Sequence, residues 1–266
     1  MFSPYYAAAR RRGGADPRNH CAVNVCLYGP RARWTMTERG AGALVSDATM
    51  LCIGPSLLAW TDDMLRIRLD EVAVPLPVRL RGEVRFYPAI LPGRRFALDA
   101  PGRHIWTPLA PRGRVEVVLD RPALRWSGIG YCDANHGAAP LEQDFARWDW
   151  SCARLSDGAA VLYHVEPRAD APRTLALRFA AQGGCESFPP PPRTTLPATR
   201  WRIARTTHGP ARIARVLEDT PFYARTLLRT HLLGEAATAM HETLSLDRFR
   251  RSWVQALLPF RMPRRR

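Results

Sequence analysis

Met64-Leu-Arg-Ile-Arg-Leu-Asp-Glu-Val72 and Val78-Arg-Leu-Arg-Gly-Glu-Val-Arg-Phe-Tyr87 decide the fold class. In a strand, successive side chains point to opposite faces. Leu65, Ile67 and Leu69 then share one face, with Arg66, Arg68 and Asp70 on the other. Val78, Leu80, Val84 and Phe86 likewise oppose Arg79, Arg81, Glu83 and Arg85, with an irregularity expected at Gly82. Further strands are expected over residues 21–28, which end at the turn Gly29-Pro30, and over 34–38, 115–119, 123–131, 160–165, 174–179, 199–204 and 213–218. A repeat of about ten residues with turns between is the pattern of sandwiches and barrels. No helix-sized periodic segment separates the strands, which excludes a doubly wound α/β fold.

Residues 244–260 read as a helix. Leu246, Phe249, Trp253 and Leu257 form its apolar stripe, Ser245 its N-cap and Pro259 its stop. The run Pro189 to Pro192 within 186–197 reads as a polyproline linker or edge loop. Apolar residues make up 46% of the chain and aromatics 9%, so it folds around a core. The 39 basic residues outnumber 24 acidic ones for a net charge of +15, and every basic residue is Arg. Such charge is attracted to nucleic acid or to anionic lipid. The arginines are spread along the chain, and no nucleic-acid motif is visible, so no nucleic-acid partner is expected. Six cysteines without a CxxC pair predict free thiols in a reducing cytoplasm. No run of eighteen apolar residues exists, and Arg10 to Arg12 lead into Gly-Gly-Ala-Asp-Pro. Neither a transmembrane segment nor a signal peptide is therefore expected.

Chemistry-bearing residues concentrate between 101 and 150. His104-Ile105-Trp106 precedes Gly130-Tyr131-Cys132-Asp133-Ala134-Asn135-His136-Gly137, and Trp148-Asp149-Trp150 follows. On strands, His104 and Trp106 share one face, as do Tyr131 and Asp133. An imidazole, an indole, a phenol and a carboxyl then line one pocket, with groups that move protons and π faces suited to a cation. Taken singly, each has a plainer reading: Asp133 as a turn carboxylate, Trp106 as core, His104 as a satisfied strand-end residue, Tyr131 as a half-buried sheet aromatic. Trp148 and Trp150 read as a core pair, His136 receives no role, and Asn24 is a further candidate for the pocket wall.

Several strings together resemble the carotenoid 1,2-hydratases (hydroxyneurosporene synthases) of photosynthetic bacteria. They are Phe2-Ser-Pro-Tyr-Tyr6, DPRNHCAVNVCLYG over 16–29, Met36-Thr-Glu-Arg-Gly40, RPALRWSGIGYCD over 121–133, Pro140-Leu-Glu142 with Trp148-Asp-Trp150, and the tail 241–265. Relatives carry an aliphatic, Gly-containing stretch before the first string. Here Met1 abuts it, which puts the first strand and the start codon in question. The resemblance implies two lipocalin-like antiparallel barrel or sandwich domains. Residues 1–145 would carry the site, and 146–266 would end in the short amphipathic helix.

The resemblance further implies a cofactor-free, metal-free lyase that hydrates the terminal C1=C2 bond of acyclic carotenoids such as neurosporene and lycopene. Its catalytic positions fall on His104, Trp106, Tyr131 and Asp133. On that basis Asp133 is the expected proton donor and Tyr131 its hydrogen-bond partner. Trp106 is expected to stabilise the cation, and His104 to accept the proton of the attacking water. The protein is expected in the cytoplasm, held peripherally on the photosynthetic or inner membrane through residues 246–260 and the arginines at 264–266. A non-catalytic carotenoid or polyprenoid carrier, and a carbocation isomerase or cyclase on the same scaffold, remain the alternatives.

Overall fold

Where apolar and charged residues alternate, the chain is extended. The computed structural model describes residues 2–265; Met1 and Arg266, the ends of the questioned N-terminus and of the arginine run, lie outside the described residues. The strands Leu65–Val72 and Arg79–Pro88 pair antiparallel. Leu65 and Leu69 are buried, whereas Arg66 and Arg68 are exposed. The inward phase continues to Glu71, whose carboxylate accepts from Ser56 Oγ and from Arg39 Nη2, each at 2.7 Å. Burial of a carboxylate is tolerated because both partners bond it. Gly82 marks a register shift against the neighbouring strand and has φ of +154°. A Cβ there would lie 2.3 Å from the Val118 carbonyl oxygen, so the close approach requires glycine.

Two large antiparallel sheets carry the fold. The first runs Ala123–Gly137, His104–Arg121, Arg79–Pro88, Leu65–Val72, Ser56–Trp60, Met50–Ile53, Leu44–Ser46, with Phe96–Ala97 added against His104–Arg121. The second runs Cys185–Ser187, Arg173–Ala180, Gly158–Pro167, Phe145–Leu155, Glu235–Ser245, Tyr223–Leu232, Ala211–Asp219. Among the described residues neither path returns to its first strand, so of barrel and sandwich the closed barrel is not formed. The hairpin of Cys21–Leu27 and Arg33–Arg39 gains Arg264–Arg265 as a parallel neighbour.

By contacts the chain forms two units. One comprises Phe2–Pro88, Gly113–Gly130 and the chain from Gln255; the other comprises Ala89–Arg112 and Tyr131–Val254. The two longest strands, His104–Arg121 and Ala123–Gly137, are divided between them, so the units interleave along the chain. In the second unit, Ala153, Leu155, Ala160, Leu162, Leu228 and Ala239 build an apolar core on one face of the seven-stranded sheet.

Two local expectations are corrected. Residues 199–204 form a turn, with Arg202 at φ of +58°, and extended chain begins only at Arg205. The tail is not one helix. Leu244 and Ser245 end a strand, Ser245 caps Leu246–Phe249, and a second helix spans Ser252–Arg261 with Pro259 inside it. The break re-phases the stripe: Leu246, Phe249 and Val254 are buried, but Trp253 and Leu257 are exposed. Residues Pro4–Arg11 form a helix, started by Ser3, which accepts from the Tyr6 amide at 2.9 Å, and by Pro4 in the first turn.

Candidate active site

Trp106 and Asp133 meet across adjacent strands. Trp106 Nε1 donates to Asp133 Oδ2 at 2.7 Å, and the Tyr131 hydroxyl donates to the same oxygen at 2.9 Å. Period-two alternation puts Tyr131 and Asp133 on one strand face, which is why the phenol reaches a carboxyl two residues away. Both donors are neutral, and among the described residues no ion pair holds Asp133.

The carboxyl opens on a cavity of about 170 Å³ lined by Tyr131, Asp133, Asn135, Trp148, Trp150, Tyr163 and Glu242. Strand register builds its far wall. Trp150 stands opposite Tyr163 on one neighbouring strand and opposite Glu242 on the other, and Glu242 stands opposite Arg225. These four side chains form one row across the seven-stranded sheet, on the face away from its apolar core. Trp148, two residues before Trp150, shares that face. The aromatic groups brace each other edge to face: Trp148 and Trp106 each meet Tyr163, at 5.8 and 5.6 Å between ring centres. The indole N–H groups of Trp148 and Trp150 are buried without an acceptor among the described residues.

Burial pushes the Asp133 pKa above the ordinary carboxylate range, and the two hydrogen bonds from Trp106 and Tyr131 pull it only part of the way back. Glu242 is also raised by burial, but Arg225 opposes that rise. Arg225 donates to Glu242 Oε1 through Nε at 2.9 Å and approaches it through Nη2 at 2.8 Å. Burial, reinforced by Asp133, holds the Tyr131 and Tyr163 phenols well above their usual range, so they remain neutral donors. The Cys152 thiol is pushed up to about 12 by burial and is unreactive there.

His104 does not join this group. It lies buried on the same strand face as Trp106, yet its Nε2 is bonded to Asp144 Oδ2 at 2.6 Å, and its backbone amide donates to Asp99 Oδ1 at 2.9 Å. Asp99, His104 and Asp144 bring one ligand atom each within 4.8 Å of one another. That donor set suits a divalent cation. Arg103, however, binds Asp144 at 2.6 Å and approaches Asp99 at 3.6 Å, so a guanidinium already supplies the positive charge. The cluster fits a hydrogen-bonded clasp better than a metal site.

Three of the four residues singled out in the sequence therefore converge, and the fourth is turned elsewhere. Trp106 is completely buried, flanked by Phe96 and Tyr163, so its ring faces are occupied and its N–H carries its role. Asn24 bonds the Thr35 carbonyl at 2.8 Å and takes no part in the cavity wall. Trp148, Trp150, Tyr163, Asn135 and Glu242 were missed. The Trp-x-Trp spacing offered a signal for two of them, since it puts both indoles on one strand face. A single Glu within Glu235-Ala-Ala-Thr-Ala-Met-His-Glu-Thr-Leu-Ser245 offered none.

The cavity is walled by aromatic side chains, and burial biases both of its carboxyls, Asp133 and Glu242, toward their protonated forms. The whole chain, residues 1–266, matches the family model described as Carotenoid hydratase CrtC, and the chain belongs to that family. The acyclic carotenoid 1,2-hydratase of Thiocapsa roseopersicina is 55% identical over 99% of this chain and 67% of its own length. That of Rubrivivax gelatinosus is 48% identical over 100% and 67%. The Cereibacter sphaeroides enzyme of the same name is 38% identical over 100% of this chain and 95% of its own. Among solved structures, CghA is similar over 82% of this chain and 81% of that one, with 12% identity and a TM-score of 0.49, a likeness too distant to bear on the site.

Proposed function

We propose that this chain is a cofactor-independent lyase that adds water to the terminal C1=C2 bond of acyclic carotenoids, with Asp133 as the proton donor. The names of the relatives support the substrate class. One observation carries the donor: Asp133 is a buried carboxyl held by two neutral donors and, among the described residues, by no arginine. An isolated trisubstituted alkene reacts only after protonation at C2, which leaves a tertiary cation at C1. A carboxyl whose pKa is raised keeps its proton long enough to deliver it. Trp106 and Tyr131 both donate to Oδ2, which leaves the transferable proton on Oδ1. The indoles of Trp148 and Trp150 offer π surface to the cation, worth about 2 kcal/mol when desolvated. Proton and water are the only co-reactants, and no electrons are transferred, so the chemistry needs no further group. The cavity of about 170 Å³ is below the ~300–1,000 Å³ of sites that enclose a drug-sized ligand, so it receives the end of the polyene.

His104, turned to Asp144, is proposed to position the strand that carries Trp106. Substrates this apolar reside in a bilayer, and peripheral docking there is part of the proposal. No helix among the described residues is long and apolar enough to cross a membrane. The helix Ser252–Arg261 exposes Trp253, Leu257 and Phe260 at spacings of four and three, with Arg250 and Arg251 exposed just before it. Each basic residue near an anionic surface contributes about 1 kcal/mol. Arg264, expected to join them, is instead bonded to Glu38. The test is incubation of the purified protein with lycopene or neurosporene in lipid vesicles. A 1-hydroxy product formed equally well after dialysis against chelator supports the reading. Activity lost to chelator and restored only by a metal overturns cofactor independence, and unchanged substrate favours a carrier.

A further inference from the structure

Hydration needs a second proton-transfer group. Once C2 is protonated, the water that attacks C1 must lose a proton, and His104 faces Asp144 instead of the cavity. We propose that Glu242 is the general base of the reaction, a catalytic residue that accepts the proton of the attacking water; the assignment rests on the hydratase reading of the same pocket. Glu242 lines the cavity together with Asp133. The two carboxyls differ in their partners. Asp133 has two neutral donors, which leave it a proton to give, whereas Glu242 is paired with Arg225, which favours its ionised form against the opposing effect of burial. Two carboxyls in one pocket, one held by neutral donors and the other by a guanidinium, offer an acid and a base.

Register supports the placement. Glu242 and Tyr163 flank Trp150 on adjacent strands, so the carboxylate borders the aromatic wall where the cation forms. The buried N–H groups of Trp148 and Trp150 have no acceptor among the described residues and offer donors to a water oxygen beside that carboxylate. The step balances. Asp133 loses its O–H proton to C2, water forms the C1–O bond, Glu242 takes the water proton, and that proton returns through solvent to Asp133. The sum is alkene plus water to alcohol.

Glu242 faces Asp133 and Tyr131 from one strand, Tyr163 from another, Tyr223 and Arg225 from a third, and Glu218 through Arg225 at 3.3 Å. Buried phenols stay neutral, so the carboxyls govern the pH profile of kcat/KM. Activity should rise as Glu242 ionises and fall as Asp133 ionises.

Glu242→Gln keeps the shape and a hydrogen bond to Arg225 but cannot accept a proton. The expected result is a folded protein that loses ~10²–10⁴-fold in hydration and lacks the acidic limb, with the basic limb retained. Glu242→Asp, which keeps a carboxylate, should recover part of the rate with a displaced acidic limb. Glu242→Gln hydrating within threefold of the parent overturns the assignment. So does a large loss with an unchanged acidic limb, which would mark a packing role. If Glu242→Gln does not fold, Glu242→Asp decides, because an acidic limb identical to the parent's overturns the proposal. A parent protein that makes no alcohol ends the hydratase reading itself, which keeps the two failures apart.

Discussion

Replacing Asp133 by Asn removes one acidic proton and little else. Its amide oxygen can accept from both Trp106 Nε1 and the Tyr131 hydroxyl, which now lie 2.7 and 2.9 Å from a single carboxyl oxygen. The amide NH₂ then takes the position from which the carboxyl would deliver its proton, and it is far too weak an acid to protonate an alkene. The fold should therefore change by no more than about 1 kcal/mol, the scale of one neutral hydrogen bond. Loss of a positioned proton donor costs ~10²–10⁴-fold in rate, equivalent to roughly 3–5 kcal/mol of barrier at about 1.36 kcal/mol per tenfold. The assay is the initial rate of 1-hydroxy product from lycopene in vesicles, with substrate binding followed separately through the polyene absorption. Asp133→Asn should bind substrate as the parent does and turn it over at the floor of detection. A folded variant that hydrates at a rate within threefold of the parent would refute the reasoning, because the proton would then come from elsewhere.

Three further outcomes follow from the geometry. Tyr131→Phe removes a donor that lowers the Asp133 pKa, so Asp133 should keep its proton to higher pH. The basic limb of kcat/KM should then move upward while the rate falls several-fold, the scale of about 1 kcal/mol; a limb moving downward would contradict the sign. His104→Phe removes one of the two 2.6 Å partners of Asp144, leaving Arg103, and should cost about 1–3 kcal/mol in denaturant unfolding, yet keep the acidic limb. A stable His104→Phe protein without that limb would make His104 the base. Leu257→Glu with Phe260→Glu alters two exposed side chains of the C-terminal helix and should weaken binding to anionic vesicles by more than about tenfold, since each apolar side chain buried there is worth roughly 1.5–3 kcal/mol. Unchanged binding would move the docking surface elsewhere.

The strands read most easily from the sequence are those with one face in water. Leu65–Val72 and Arg79–Pro88 alternate because one face meets solvent and the other the core, and even the Gly82 shift left its mark. The strand Phe145–Leu155 hid itself because both of its faces are enclosed. Trp148 and Trp150 line the cavity, while Asp149, Ser151 and Ala153 are buried on the other side. Glu235–Ser245 inverts the usual rule, burying His241 and Thr243 in a polar network with Ser151 and Asp149. A pattern search that expects apolar residues inside reads such a strand as loop. The long strand His104–Arg121 was read as two separate pieces at its ends, since Pro108 and Pro111 interrupt the apolar pattern between them.

The site was legible in the same uneven way. Tyr131 and Asp133 are two apart on one strand, so their meeting follows from local geometry alone. Trp106 joins them only through pairing of its strand with that one, which spacing does not disclose. His104 was placed with Trp106 by the same two-residue rule, and the rule held for its strand face. It failed for its partner, because Asp144 arrives from the short helix Leu141–Asp144. Glu242 is brought to the pocket by the pairing of Phe145–Leu155 with Glu235–Ser245, a contact between residues far apart in the chain.

The central claim is that a carboxyl protonates C2 and water completes C1, and isotopic labelling of the product tests it most directly. Lycopene in vesicles is incubated with the purified protein in deuterated, ¹⁸O-enriched water, and the product is examined by mass spectrometry and NMR. The account predicts a 1-hydroxy carotenoid with one deuterium at C2 and the hydroxyl oxygen from water, absent with Asp133→Asn. An isomerised or cyclised hydrocarbon without added oxygen, or a hydroxyl drawn from dioxygen, would contradict it.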